Sequence, residues 1–276
     1  MCAYLQETPS RKRVTILELA AMKREGKKIT MITAYDALFA SLVEQGGIDV
    51  ILVGDSVAPV LGGEATTIPA TLGQMSYHGR IVRRGADRSL VVVDLPFLSY
   101  QVSIPDAIRN AGTLLKRTGA AAVKLEGGAA WAATVAALVG AGIPVMGHLG
   151  FTPQSVHQLG GHRIQGKGDD GAIRLVEDAR ALEGAGAFAI VLELMPATVA
   201  ERVTAGVTIP TIGIGAGPHC DGQVLVLHDM LGLNEGFTPK FLKRYAELGV
   251  AVRSAVSEFV REVREGSYPD SDHSHG

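Results

Sequence analysis

Eight short apolar runs recur along the chain: "ITMITAY" (29–35), "VILVG" (50–54), "SLVVVDLP" (89–96), "AAVKLE" (121–126), "IPVMGH" (143–148), "FAIVLE" (188–193), "IPTIGIG" (209–215) and "GQVLVLHD" (222–229). They are continuous rather than alternating, the pattern of strands covered on both faces in a parallel sheet. Between them lie Ala-rich amphipathic segments such as 105–119, 129–142 and 171–186, each ending near a glycine that can terminate a helix. Repeated strand–helix alternation, with no G-x-G-x-x-G after the first run, predicts an α/β fold of the (β/α)8 TIM-barrel type rather than a doubly wound sheet. The 276 residues, 47% of them hydrophobic, suit one such barrel.

No linker or low-complexity segment interrupts the middle of the chain, so residues 14–265 read as one catalytic barrel domain between flexible tails at 1–13 and 266–276. Upstream of the first strand, 15–26 offers Thr15 and Glu18 as a capping box and Gly26 as a stop, a helix placed to close the barrel floor. Helical periodicity over 238–266 predicts a final helix plus an extra one available for subunit contact. The net charge of −2 provides no basic field for nucleic acid or an acidic membrane, which favours small-molecule partners. Cys2 and Cys220 form neither a disulfide framework nor a CxxC site. Without a signal peptide or an apolar stretch of about 20 residues, the chain is expected to be soluble and cytoplasmic.

In a barrel of this kind chemistry sits where the strands end. The runs are followed by Tyr35 and Asp36, Asp55 and Ser56, Asp94, Lys124 with Glu126, His148, Glu193, a glycine loop, and His228 with Asp229. Singly, each has a bland explanation: a strand-end Asp often caps the next helix, and a lone His is usually a satisfied core residue. Together, Asp55, Asp94 and Glu126 end three consecutive strands, and neighbouring strands lie only about 4.8 Å apart. Carboxylates that close repel one another unless a cation sits among them, and an all-oxygen donor set points to Mg2+. Lys124 shares a strand face with Glu126; it either compensates the buried carboxylates or holds an anionic substrate and stabilises an enolate. Glu193, apart from the trio, is free to act as general base, and His148 could hydrogen-bond the reacting oxygen. The loop "GIGAGPHCDGQ" (213–223) suits tight packing and phosphate binding equally well. The long polar connection 151–171, with His157, His162, Arg163 and Lys167, reads as a lid or binding element.

The blocks "VGDS" (53–56), "YHGRIVRRGADRSLVVVDLPFLSY" (77–100), "AVKLEGG" (122–128), "PVMGHLGFTPQSVHQLGGHRIQGK" (144–167), "AFAIVLE" (187–193) and "IPTIGIGAGPHCDGQVLVLHDMLG" (209–232) resemble the ketopantoate hydroxymethyltransferase family over roughly residues 14–265. The resemblance implies a barrel of the phosphoenolpyruvate mutase/isocitrate lyase superfamily. It also implies transfer of a hydroxymethyl group from 5,10-methylenetetrahydrofolate to 3-methyl-2-oxobutanoate, giving 2-dehydropantoate for pantothenate and coenzyme A synthesis. By family pattern Asp55, Asp94 and Glu126 bind Mg2+, while Asp55, Ser56, Asp94 and Lys124 contact the keto acid. Glu193 is the proton acceptor, and His148 and Lys124 complete the catalytic group. The same pattern implies a homo-oligomer, a decamer built from two pentameric rings. The chain departs from it at "VAPV" (57–60), "GG" (62–63) and His162, none of them a metal or base position. The alternative reading is a folate-independent, metal-dependent carbon–carbon lyase acting on a 2-oxo acid, which predicts activity without folate.

Overall fold

All eight apolar runs become strands: β1 (Ile29–Thr33), β2 (Val50–Val53), β3 (Leu90–Asp94), β4 (Ala122–Lys124), β5 (Val145–Gly150), β6 (Ala189–Glu193), β7 (Thr211–Ile214) and β8 (Gly222–Leu225). They pair in chain order, every pair parallel, and β8 returns to β1 to close the barrel. This computed structural model describes residues 12–275, so Cys2 and nearly all of the expected N-terminal tail lie outside the described residues. The helices are α1 (Ile16–Arg24), α2 (Ala37–Gln45), α3 (Val57–Gly62), α4 (Leu72–Gly85), α5 (Ile104–Thr118), α6 (Ala132–Gly140), α7 (Asp169–Gly184), α8 (Ala197–Gly206), α9 (Leu227–Met230) and α10 (Leu248–Glu265). Among the described residues no helix is long and apolar enough to cross a membrane.

Side chains alternate across each strand, so the two faces build two cores. Val50 and Leu52 of β2, Leu90 and Val92 of β3, Ala122 of β4, Met146 of β5 and Ala189 and Val191 of β6 pack together inside the barrel. Their neighbours Ile51, Val53, Val91, Val93, Val123, Val145, Ile190 and Leu192 face outward against the helices. Strands β2 to β6 are therefore apolar on both sides, which is why those runs read as continuous. The helix before β1 closes the floor as expected: Leu19 of α1 is fully buried in the inner core, with Val14, Ile16 and Met22 packed beside it. Its start is the anticipated capping box, with Glu18 N donating to Thr15 Oγ1 at 3.3 Å and Thr15 N donating to Glu18 Oε2 at 2.9 Å.

The chain divides after Leu225 into two compact units. In the C-terminal unit the sequence expectation fails in two places. The eighth run stops being a strand at Leu225, and His228 and Asp229 fall on the single helical turn α9 because Met230 N and Leu231 N turn back to Val226 O and Leu227 O. Of the final helix and the extra one expected over 238–266, the described residues form one, α10, which begins only at Leu248. Before it, Tyr245 N bonds to Met230 O, and the Arg244 guanidinium reaches the carbonyls of Asn234 and Glu235, which holds this stretch out of a helix. Along α10, Val252, Val256, Phe259 and Val263 form an exposed apolar stripe at helical spacing. Beyond it Tyr268 meets Phe259 edge-on, with ring centroids 5.6 Å apart, and Asp270 caps the short 3-10 turn Ser271–His273.

Candidate active site

The alternation that fills the barrel with Leu90 and Val92 carries the next inward position to Asp94. The same parity takes Ala122 to Lys124, and Glu126 just beyond the strand; Met146 to His148; and Ala189 and Val191 to Glu193. Four inner columns of apolar side chains thus end in charge at the C-terminal mouth. On β2 the corresponding place is Gly54, where a Cβ would stand 2.7 Å from Ser56 Oγ and 3.5 Å from Asp94 Oδ2. Its missing side chain makes room for the carboxylate of Asp94 and for the turn that brings Asp55 inward.

Asp55 N donates to Asp94 Oδ2 at 3.0 Å, and Lys124, register partner of Asp94, sets its Nζ 2.8 Å from Asp94 Oδ1. His148 stands between two carboxylates, its Nδ1 3.3 Å from Glu126 Oε1 and its Nε2 3.1 Å from Glu193 Oε2. The expectation that Glu193 stands wholly apart is therefore modified: His148 links it to Glu126. The Glu193 side chain is 18% exposed, whereas that of His148 is 4% exposed, so Glu193 is the member of this pair open to a ligand entering the mouth. Ser56 Oγ lies 2.8 Å from the hydroxyl of the buried Tyr35, and Asp36 caps α2 through Phe39 N at 2.8 Å, the bland role for a strand-end aspartate.

Burial, together with the charges of Asp94 and Glu126, drives the Asp55 carboxyl well above the usual range. Burial also raises Asp94, although Lys124 opposes it. For Glu126 burial is outweighed by His148, which bonds to it, and by Lys124, so its carboxyl is held low. Burial and the Lys124 ammonium resist protonation of His148, but Glu126 and Glu193 on its two nitrogens overcome them and its pKa is pushed up to about 9. Lys124 is likewise raised against the effect of burial by the surrounding Asp94, Glu126 and Asp55.

Within this cluster Glu126 Oε1, Asp94 Oδ1 and His148 Nε2 are buried without a well-formed hydrogen bond, although each faces an oppositely charged group. Among the described residues no three His, Cys, Asp or Glu side chains stand together as a ready-made metal-binding group. One participant is absent from the sequence reading altogether: Gln154, in the 3-10 turn Pro153–Ser155 after β5, donates from Nε2 to Asp55 Oδ2 at 2.9 Å and from its backbone N to Glu126 Oε2 at 2.9 Å. No periodicity marks it; its only signal is a polar residue in the long loop that leaves a strand end. Other features of that loop do not reach the cluster. His157, Arg163 and Lys167 are exposed, and His162 lies against Phe151 with ring centroids 4.8 Å apart. In the glycine loop, Gly217 packs so closely on Ala197 that a Cβ would come within 2.4 Å, a structural reason for that glycine. His228 and Asp229 belong to the C-terminal unit rather than to a strand end.

Comparison with solved structures places the fold. The chain superposes on 2,3-dimethylmalate lyase, a PEP mutase/isocitrate lyase superfamily member, with a TM-score of 0.61 over 96% of this chain and 93% of that one, at 17% identity. Phosphonopyruvate hydrolase in complex with oxalate and Mg++ gives 0.58 over 94% and 92%, at 15% identity. At the sequence level, the 3-methyl-2-oxobutanoate hydroxymethyltransferase of Syntrophus aciditrophicus (strain SB) is 53% identical over 263 residues, 95% of this chain and 97% of that protein. A family model described as ketopantoate hydroxymethyltransferase matches residues 13–271, and the chain belongs to that family.

Proposed function

We propose that this protein transfers a hydroxymethyl group from 5,10-methylenetetrahydrofolate to C3 of 3-methyl-2-oxobutanoate, forming 2-dehydropantoate on the route to pantothenate. Family membership supports the transferase over the folate-independent lyase. The observation that carries the reading is the junction at the mouth of a partly exposed carboxylate, Glu193, with a buried group of three carboxylates and an ammonium. A 2-oxo acid offers that group a carboxylate and an oxo oxygen, and offers Glu193 an acidic proton on C3.

Glu193 takes the C3 proton as general base, and His148, 3.1 Å away, orients its carboxylate. Lys124, held charged beside Asp94, attracts the anionic substrate and stabilises charge developing on its oxygens. Ser56, oriented by Tyr35, donates to the substrate carboxylate. The enolate carbon then bonds to the methylene carbon of the folate; over the whole transfer both bonds from that carbon to the folate nitrogens break, water supplies the hydroxyl, and the two nitrogens take up the remaining water proton and the proton removed by Glu193.

The donor set fits a hard divalent ion: three carboxylates and no thiolate, with Glu126 Oε1 and Asp94 Oδ1 lacking well-formed hydrogen bonds. Asp55, Asp94 and Glu126 would hold Mg2+, with water and substrate oxygens completing its shell. Bound there, Mg2+ supplies Lewis-acid stabilisation of negative charge on the oxo oxygen. The phosphonopyruvate hydrolase of the same fold was solved with oxalate and Mg++, a metal beside a small dicarboxylate.

Residues 14–265 act as one catalytic domain in this reading, working in the cytoplasm. The exposed stripe of α10 supports assembly into a homo-oligomer, expected to be a decamer and measurable by light scattering. The decisive assay is 2-dehydropantoate formation with methylenetetrahydrofolate and Mg2+, comparing wild type with Glu193→Ala and Asp94→Ala. Unchanged turnover in both variants removes the site; turnover of the keto acid without folate points to the lyase. Activity that survives EDTA, with a borohydride-trapped lysine adduct, overturns the metal in favour of a Schiff base on Lys124.

A further inference from the structure

Gln154 spends its whole hydrogen-bonding capacity on the ends of neighbouring strands. Its Nε2 donates to Asp55 Oδ2 after β2 and to Leu95 O after β3, each at 2.9 Å. Its Oε1 receives Tyr100 OH at 3.0 Å and Gln101 Nε2 at 3.1 Å, both from the segment after β3. Its backbone N–H takes Glu126 Oε2 after β4. The Tyr100 hydroxyl has one proton to share between Gln154 Oε1 and Glu126 O, each at 3.0 Å, so the amide orientation is fixed by Leu95 O and Asp55 Oδ2 facing the NH2, and a carboxylate of the same shape would set acceptor against acceptor there. Tyr100 reinforces the bracket. Its buried hydroxyl also receives Glu126 N at 3.1 Å, and its ring stands edge-on to Trp131 at 5.3 Å.

We propose that Gln154, seconded by Tyr100, is the positioning residue that assigns one oxygen of Asp55 and one of Glu126 to the protein and so aims the remaining oxygens at the ligand in the mouth. Glu126 shows the division: Oε2 is tied to Gln154 while Oε1 is the buried atom without a well-formed hydrogen bond. Because Gln154 belongs to the long loop after β5, it also makes the loop and the carboxylates one unit. Partners that orient metal-binding carboxylates commonly matter about 10–100-fold in metal affinity or activity.

The inference rests on the proposed function, and the test separates the two. Mg2+ affinity is measured by calorimetry without keto acid or folate, and exchange of the C3 hydrogen of 3-methyl-2-oxobutanoate is followed in D2O, for wild type, Gln154→Met and Tyr100→Phe. Circular dichroism and melting serve as controls for folding. Gln154→Met, of similar size but without the amide, should bind Mg2+ about 10-fold or more weakly and lose exchange in parallel. Tyr100→Phe should move both quantities in the same direction by a smaller factor. A folded Gln154→Met with wild-type affinity and exchange overturns the inference; if that variant does not fold, wild-type values in Tyr100→Phe overturn it. A wild-type enzyme that neither binds Mg2+ nor exchanges the hydrogen overturns the underlying function instead.

Discussion

The two ends of the barrel each carry a charged cluster, half-buried at the floor and buried at the mouth, built in opposite ways. At the floor, Asp221 Oδ2 accepts Thr211 N at 2.8 Å and Thr211 Oγ1 at 3.1 Å and pairs with Lys23 Nζ at 2.9 Å. Lys23 spends further donors on the carbonyls of Thr204 and Ile209, which ties α1 to the barrel. One carboxylate oxygen meets one ammonium and two donors of Thr211. At the mouth, Asp55, Asp94, Glu126 and Glu193 share Lys124 and His148, and Glu126 Oε1 and Asp94 Oδ1 lack well-formed hydrogen bonds. A buried polar group that is fully satisfied stabilises the fold; one left short of partners costs stability and persists where a ligand completes it. The floor cluster reads as structure, and the mouth cluster as the proposed site.

The contrast can be broken by substitution. Glu193→Ala should lower turnover about 10²–10⁴-fold, the usual contribution of a positioned base, with a stability loss smaller than that of Lys124→Met because the Glu193 side chain is partly exposed and His148 keeps Glu126. C3 hydrogen exchange read beside a thermal melt checks both halves. Lys124→Met should damage both properties, because removing one partner of a buried pair costs about 3–5 kcal/mol. Saturating Mg2+ should recover part of that stability, since a ligand bound only by the folded state raises its melting temperature. Failure of Mg2+ to recover any stability would argue against a cation among the carboxylates.

At the floor, Lys23→Met should destabilise by about 1–3 kcal/mol, the cost of stripping a charged hydrogen-bond donor from its acceptors, with turnover per folded molecule unchanged. A loss of kcat there would erase the distinction between the two ends. The smallest effect is expected from Gly54→Ala, whose Cβ would sit 2.7 Å from Ser56 Oγ. It should raise KM for the keto acid several-fold through displacement of Ser56, with a stability cost within the ordinary ~0.5–3 kcal/mol range of point substitutions.

The strands and their polar ends were legible because alternation is a property of neighbouring residues: once 90 and 92 face inward, 94 does too. The capping box of α1 was legible for the same reason, being local. Gln154 was hidden because its partners Asp55, Leu95, Tyr100 and Glu126 are distant in sequence and meet only when the barrel closes. The pair of helices expected over 238–266 and the over-long eighth strand failed similarly, since bonds such as Tyr245 N to Met230 O compete with local propensity and leave no periodic trace. Asp36 illustrates the opposite limit, a strand-end carboxylate that caps α2 through Phe39 N.

The inner columns that end in Asp94, Lys124, His148 and Glu193 also restrict how a chain like this can change length. Deleting one residue from the middle of β3 would turn the aspartate out toward the helical layer and bring an apolar neighbour into the mouth, because strand side chains repeat every second residue. Insertions and deletions compatible with turnover should therefore fall in the connecting loops, whereas within a strand only changes in steps of two preserve the direction of the charged group.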